Sequence, residues 1–351
     1  MSARWIVPAL GGPLPLDGET VTRHGVALLG RGGLARDVAL AGELDATDAA
    51  QAQTRDMFAF KWSRRDTYAS PDVLAAQRRW LDERLAGRDL LSRFGAAGSA
   101  PPLVLDAGCG AGFSAKLLFE NQFERIRYVG VDISAAVDIA AEEIGVAGRE
   151  TAFLQCDLMR LPFAPGAFDI VFSEGVLHHT PSTRAALANV AALVAPGGLL
   201  MAYVYAKKAP IREFTDDYIR AAVADMSPQD AWAALEPLTR LGIALGELKT
   251  EIDAPDVPLL GIKAGRYDIQ RLFYWAICKA YYRPEFSFDE MNHINFDWFT
   301  PKYCHRQTPE EVAAWCREAG LAIEHLRAED AGITVVARRP ADAAAPAPRP
   351  A

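Results

Sequence analysis

Val104-Leu105-Asp106 is a short apolar strand that runs, through Ala107, straight into Gly108-Cys109-Gly110-Ala111-Gly112, and a helix-forming stretch, Ser114–Asn121, follows at once. Glycines at this G-x-G-x-G spacing let a backbone turn sharply and come close to a ligand. The helix N-terminus beyond them points free N–H groups at the same place. The rhythm continues downstream. Tyr128–Asp132, Thr151–Gln155, Phe168–Ser173 and Leu199–Val204 read as strands, Ala135–Ile144 as a helix, and Asn189–Val194 as the end of another, stopped by Pro196-Gly197-Gly198. Continuous apolar strands alternating with helices predict an α/β fold with a parallel sheet covered on both faces.

Two acids mark the ends of the first two strands. Asp106 stands two residues before the first glycine, and Asp132 follows Gly112 by 20 residues. A carboxylate at 132 is placed to accept both ribose hydroxyls of an adenosine. A nicotinamide-type site would also put an acid near there, but its fingerprint is G-x-G-x-x-G, and position 113 is Phe. That fingerprint gives no reason for an acid at 106, which suits a ligand carrying an amino-acid ammonium group.

With these residues in place, the segment resembles the class I S-adenosylmethionine-dependent methyltransferase family. Four further stretches match its ordered motifs: Cys156-Asp157-Leu158, Leu161-Pro162-Phe163 with Phe168-Asp169-Ile170-Val171, Glu174-Gly175-Val176-Leu177-His178-His179, and Pro196-Gly197-Gly198. The resemblance spans about 103–206 and resumes at 308–338. It implies a Rossmann-like seven-stranded sheet with an antiparallel last strand, which agrees with Leu321–Arg327 and Ile333–Arg338 read as a terminal strand pair. It implies S-adenosylmethionine as cofactor, with S-adenosylhomocysteine as product. Gly108, Gly110 and Gly112 would carry the amino-acid end, with Asp106 near its ammonium. Asp132 would hold the ribose, with Ile133 beside it among the cofactor-binding residues, Asp157 and Leu158 would frame the adenine, and Glu174 would lie on the loop beside the cofactor. His178 and His179 are candidate proton acceptors near the transferred methyl; the alternative is that they only shape the loop. Cys109 reads as a small residue filling the turn.

A second resemblance concerns the N-terminus. Trp5–Leu14 and Leu28–Leu34 are similar to a small zinc-ribbon module, with Val7, Leu10, Gly30 and Gly33 where its cysteine pairs would stand. Zinc needs thiolate or imidazole ligands, so the likeness implies a lost site, and no metal is expected.

The chain divides into a small β-rich segment (1–50), a helical lead or lid segment (51–100), the core (101–206), a largely helical insertion (207–306), the end of the core (307–339) and a disordered tail (340–351). Polar and aromatic groups concentrate late in the insertion. Asn292, His293, Asp297, Trp298, Tyr303, His305 and Arg306 are the candidate substrate contacts; a structural cap is the other reading. Gly265–Asp268 is a weaker candidate of the same kind. Phe58-Ala59-Phe60-Lys61-Trp62 reads as a segment that closes over the cofactor or as a hydrophobic anchor. Phe273-Tyr274-Trp275 reads as core or dimer contact, and monomer and homodimer both stay open.

Charge and cysteine usage narrow the partners. Lys plus Arg is 37 and Asp plus Glu 45, a net charge of −8, which suits a nucleic-acid backbone poorly. Five cysteines without a Cys-x-x-Cys pair fit a reducing compartment. No apolar run reaches the roughly 20 residues of a membrane helix. The expectation is therefore a cytoplasmic enzyme with no nucleic-acid or membrane partner that methylates a small molecule, a sugar or specialised metabolite. The alternative is a cofactor-binding protein that no longer transfers methyl, a non-methylating catalyst or scaffold. A nicotinamide dehydrogenase is third.

Overall fold

The computed structural model describes residues 4–41, 49–94 and 100–343. The tail expected at 340–351 lies, from 344 onward, outside the described residues. After helical turn α1 (Val7–Leu10) come strands β1 (Thr20–Arg23), β2 (Val26–Arg31) and β3 (Leu34–Asp37), then helices α2 (Ala49–Ser63) and α3 (Pro71–Leu85). The alternating part is β4 (Leu103–Ala107), α4 (Phe113–Phe119), β5 (Arg127–Asp132), α5 (Ala136–Ile144), β6 (Glu150–Gln155), β7 (Phe168–Glu174), α6 (Thr183–Ala191) and β8 (Val194–Tyr205). The 207–306 segment contributes α7 (Pro210–Val223), α8 (Pro228–Glu247), a hairpin of β9 (Glu251–Ala254) and β10 (Gly265–Asp268), α9 (Ile269–Ala276) and α10 (Phe288–Phe299). The chain ends on α11 (Pro309–Glu318), β11 (Ala322–Ala328) and β12 (Gly332–Arg338).

One sheet holds ten strands in the order β1-β2-β3-β6-β5-β4-β7-β8-β12-β11. Strands β6, β5, β4, β7 and β8 run parallel, and β12 and β11 close that side antiparallel. These are the seven strands expected. The sheet is larger because β1–β3 continue it: β3 pairs parallel with β6 at Ala35↔Leu154 and Arg36↔Gln155. Arg36 fastens the joint, donating to Gln155 Oε1 at 2.7 Å and pairing with Asp138 at 2.6 Å. Ile6, Leu10, Val26 and Leu28 are buried in the same apolar cluster as Leu105, Val129 and Leu154. The N-terminal segment therefore covers what would be an open sheet edge. Val7 and Leu10 lie in the helical turn α1, and Gly30 and Gly33 lie in and just after β2. Among the described residues no group of three or more His, Cys, Asp and Glu is placed to hold a metal ion, and no helix is long and apolar enough to cross a membrane.

The sequence puts the end of a helix at Asn189–Val194; the helix ends at Ala191, and Val194 already belongs to β8. Chain order reverses at β4, which leads to β5 on one side while β7 lies on its other. A crevice opens beyond the strand ends at such a switch point. Helix α10 is started by a capping box in which Ser287 and Glu290 each satisfy the other's backbone N–H. It packs on α8 and α7 and also meets α2, which in turn touches α5. Helix α2 therefore bridges the sheet's helices and the 207–306 segment.

Candidate active site

The glycine loop sits at the switch point in a conformation that side chains resist. Gly108 has φ +95°, and a Cβ there would fall 2.3 Å from Val176 Cγ1. Gly110 has φ +50°, and its Cβ would fall 2.7 Å from Trp62 Nε1, so the loop is covered by the end of α2. The N–H groups of Gly108 and Cys109 donate to the Val131 carbonyl at 2.8 and 2.9 Å. The Gly110 N–H donates to Asp132 Oδ2 at 2.9 Å. The other oxygen of Asp132 accepts from Ser134 N–H and Oγ at 2.8 and 2.6 Å. Burial pushes this carboxyl up, against those hydrogen bonds and the Lys61 ammonium. Gly112 caps α4 and packs toward Ile144.

A first pocket is walled by this loop, by Asp132 and Ile133, by Asp157 and Leu158, and by Glu174 with Gly175. Across from them α2 contributes Gln51, Thr54, Phe58, Lys61 and Trp62. Asp157 accepts from the Met159 N–H at 2.8 Å, and burial raises it as well. One of the acids named from the sequence is placed differently, and another carries a partner. Asp106 does not line the pocket: it is 2 % exposed beneath the loop, accepts from the Tyr128 hydroxyl at 2.6 Å, and is pushed by burial to about 8. Glu174 does line it, but as half of an ion pair with Arg84 at 2.5 Å.

A second, larger cavity adjoins the first and shares Lys61, Trp62, Phe113, Ser114, Glu174 and Gly175 with it. Its far walls come from the 207–306 segment. His293, Asp297 and Trp298 line it as the sequence suggested. His293 stacks on Tyr68 with centroids 4.7 Å apart, and its Nδ1 meets Thr67 Oγ1 at 2.9 Å. Asp297 takes Lys61 Nζ at 2.6 Å and Tyr205 OH at 3.3 Å. Although burial opposes it, the cations Lys61 and Lys279 hold this carboxyl well below the usual carboxylate range.

Four of the expected substrate contacts are elsewhere. Asn292 is turned toward α8, accepting from Thr239 Oγ1 at 2.7 Å and donating to the Trp232 carbonyl at 3.1 Å. Tyr303 offers its carbonyl to His179 rather than its ring to a ligand. His305 and Arg306 lie on a separate surface groove, where Arg306 pairs with Glu213 and Asp217 at 2.8 Å each. For Asn292 the reason is helical geometry, since positions 293 and 297 share a face of α10 while 292 points to the next; Tyr303, His305 and Arg306 lie beyond the end of that helix at Phe299. Tyr274 is buried and Phe273 packs on the cluster of Trp232, Phe296 and Phe299, as the core reading of that stripe expects, while Tyr274 and Trp275 also line the cavity. Gly265–Asp268 forms β10 of the separate two-stranded hairpin.

The histidine pair divides. His178 is fully buried, its ring 3.8 Å from the Tyr205 ring by centroids, and it lines neither cavity. Burial and the neighbouring His179 hold it well below the usual range. The expectation of a proton acceptor at position 178 is therefore withdrawn. His179 lines the first pocket. Its Nδ1 lies 2.6 Å from the Tyr303 carbonyl, which only accepts, so the proton sits on Nδ1 and leaves the Nε2 lone pair free of partners. Burial brings this ring down to about 4, so it is neutral at neutral pH.

Sequence reasoning missed Arg84, Lys208, Arg212 and Lys279, all on the second cavity. None sits in a motif, and nothing in the linear pattern marks them.

A family model described as a methyltransferase domain matches residues 105–202. An uncharacterised protein of Synechococcus sp. is 39% identical over 122 residues, 33% of this chain and 28% of that protein. Malonyl-[acyl-carrier protein] O-methyltransferase of Legionella pneumophila is 33% identical over 102 residues, 29% of this chain and 36% of that one. Probable tRNA methyltransferase 9B of Mus musculus is 37% identical over 116 residues, 32% and 24% of the respective chains. The chain thus spans well under half the length of these curated relatives. The matched region contains the glycine loop, both strand-end acids and the wall of the first pocket that faces α2. Residues 105–202 of this chain are a methyltransferase domain.

Proposed function

We propose that the whole chain is a methyltransferase that moves a methyl group from S-adenosylmethionine to a small-molecule acceptor in a reducing, cytoplasmic setting. The carrying observation is the pair of adjoining cavities, one walled by the glycine loop and its acids, the other by the 207–306 segment, which acts as the substrate-side cap. The residues present fit the cofactor. The loop has no room for side chains at 108 and 110, two carboxylates are available for hydroxyl and amine donors, and Ile133 and Leu158 supply apolar walls. When bound, the cofactor supplies a methyl already activated on a sulfonium.

The chain then has to hold, align and dry the reactants. Asp132 orients the ribose and fixes the loop through Gly110. Helix α2 closes the pocket with Phe58 and Trp62 and ties itself to the cap by the Lys61–Asp297 pair. Gly175, with nothing within 4 Å of the place its Cβ would take, leaves the junction open for the acceptor atom. Where that atom carries a proton, His179 Nε2 is the neutral acceptor beside it. The five cysteines are all buried and unpaired, which supports the reducing compartment. A concave cavity partly covered by α2 and walled by the 207–306 segment supports a small molecule as acceptor.

The test is turnover. Purified protein is incubated with methyl-labelled S-adenosylmethionine and pooled small metabolites, and products are read by mass spectrometry. The expected result is S-adenosylhomocysteine formed in step with one singly methylated product. Tight cofactor binding with no acceptor methylated in any pool would instead support a protein that binds without transferring.

A further inference from the structure

The second cavity is unevenly charged for a chain whose net charge is negative. Seven basic residues line it against two acids, Glu174 and Asp297. Four of the cations are answered by carboxylates: Lys61 by Asp297, Arg84 by Glu174, Arg212 by Asp216 at 2.8 Å, and Arg283 by Glu285 at 3.3 Å. Arg271 donates to the Tyr282 carbonyl at 2.5 Å. Lys208 donates to the carbonyls of Asp330 and Ala331. Lys279 is 6 % exposed and has no hydrogen bond or ion pair among the described residues; its ammonium sits 4.4 Å from the centre of the Trp298 ring. Lys208 reaches the same ring at 5.3 Å.

A buried ammonium without an anion is costly. Here the cost shows as a shift. Burial first, with Arg212 adding to it, brings both lysines down to about 7; Lys279 presses further on Lys208, while Asp297 works the other way at Lys279. The surroundings are built to order a flat body next to that charge, since Tyr274, Trp275 and Trp298 stand on the same cavity.

We propose that Lys279 and Lys208, over the Trp298 ring, form a subsite for an oxyanion, a carboxylate or phosphoryl group, carried by the methyl acceptor. Only the word acceptor rests on the methyl-transfer reading; the preference for an anion is readable without it. An oxyanion there would complete the charge balance, take the free donors of Lys279 and fix the acceptor beside the Trp298 ring. The same arrangement would serve a lysine acting as a base, but equilibrium binding of an unreactive anion does not depend on a base.

The test uses benzoate, phenyl phosphate and the neutral isostere benzamide as probes. Each is titrated calorimetrically into the full chain below about pH 7, where both lysines hold their charge, with and without saturating S-adenosylhomocysteine. The expected result is that at least one of the two anions binds about ten- to a hundredfold tighter than benzamide. Which anion wins names the group. Lys279→Met should remove that preference and Lys279→Arg should restore part of it, while S-adenosylhomocysteine affinity stays unchanged in both. Equal binding of benzamide and both anions to the wild-type chain overturns the proposal even if the variants do not fold, and so does a preference that survives Lys279→Met. An anion preference in a protein that fails to bind S-adenosylhomocysteine would sustain the subsite and remove the methyltransferase reading.

Discussion

Asp132→Ala is expected to weaken S-adenosylhomocysteine binding by at least about a hundredfold, to the point where titration detects none. Two losses add. The carboxylate is the acceptor available to a ribose, and each hydrogen bond to a charged group contributes roughly 1.5–3 kcal/mol. The same side chain accepts from the Gly110 N–H and from Ser134, so its removal also releases the loop that the cofactor must meet. Asp132→Asn separates the two: one amide oxygen keeps an acceptor for the loop while the charge is gone, so binding should fall less. Circular dichroism on each variant shows whether the fold is intact. Affinity within a few-fold of wild type in a folded Asp132→Ala protein would remove this residue from the binding site.

Arg84→Met is expected to cost about 3–5 kcal/mol of stability, read as the shift in a denaturant unfolding curve. Arg84 is 2 % exposed and stands between the rings of Trp80 and Tyr203, 3.9 and 4.2 Å from their centres. It donates to Thr334 Oγ1 at 3.0 Å and pairs with Glu174. Methionine keeps much of the volume but leaves the Glu174 carboxylate buried without its cation, which is the expensive half of breaking such a pair. Adding Glu174→Gln should recover part of the loss, because the stranded charge is then absent. A single variant within about 1 kcal/mol of wild type would show that the pair contributes little. Glu174 faces both cavities, so Arg84, though distant from the glycine loop in sequence, sets where the junction between them lies.

The sheet's interior and the first pocket were legible because their information is local. A strand, a glycine turn and a helix follow one another within a score of residues, and the acids sit at strand ends where chain order alone puts them on one rim. Phe58–Trp62 was read as closing over the cofactor or as a hydrophobic anchor, and not as the end of a helix running back to Ala49. The three extra strands were seen only as a β-rich lead, since they join the sheet through the pairing of β3 with β6, more than a hundred residues away in the chain. The second cavity was mostly illegible. Lys208 and Arg212 stand four residues apart around the start of α7, Lys279 follows α9 some seventy residues later, and they meet only because α7 packs on α9 and α10. Density of polar and aromatic residues pointed to the right helix but could not separate its faces, so Asn292 was grouped with His293, and Tyr303, His305 and Arg306 with Asp297. The His178-His179 pair shows the same limit: adjacent residues in one turn, of which one meets the pocket and one is sealed against Tyr205.

The central claim is that the pocket at the glycine loop is built for S-adenosylmethionine. Calorimetric titration of the folded chain, freed of co-purified ligand, with S-adenosylhomocysteine and separately with NAD tests it directly. The expected result is one site per chain for S-adenosylhomocysteine, with a dissociation constant on the order of micromolar, about −8 kcal/mol, and no heat from NAD. Binding of NAD alone, or of neither, would contradict the claim and leave the loop, Asp132 and the α2 lid to be explained as structure.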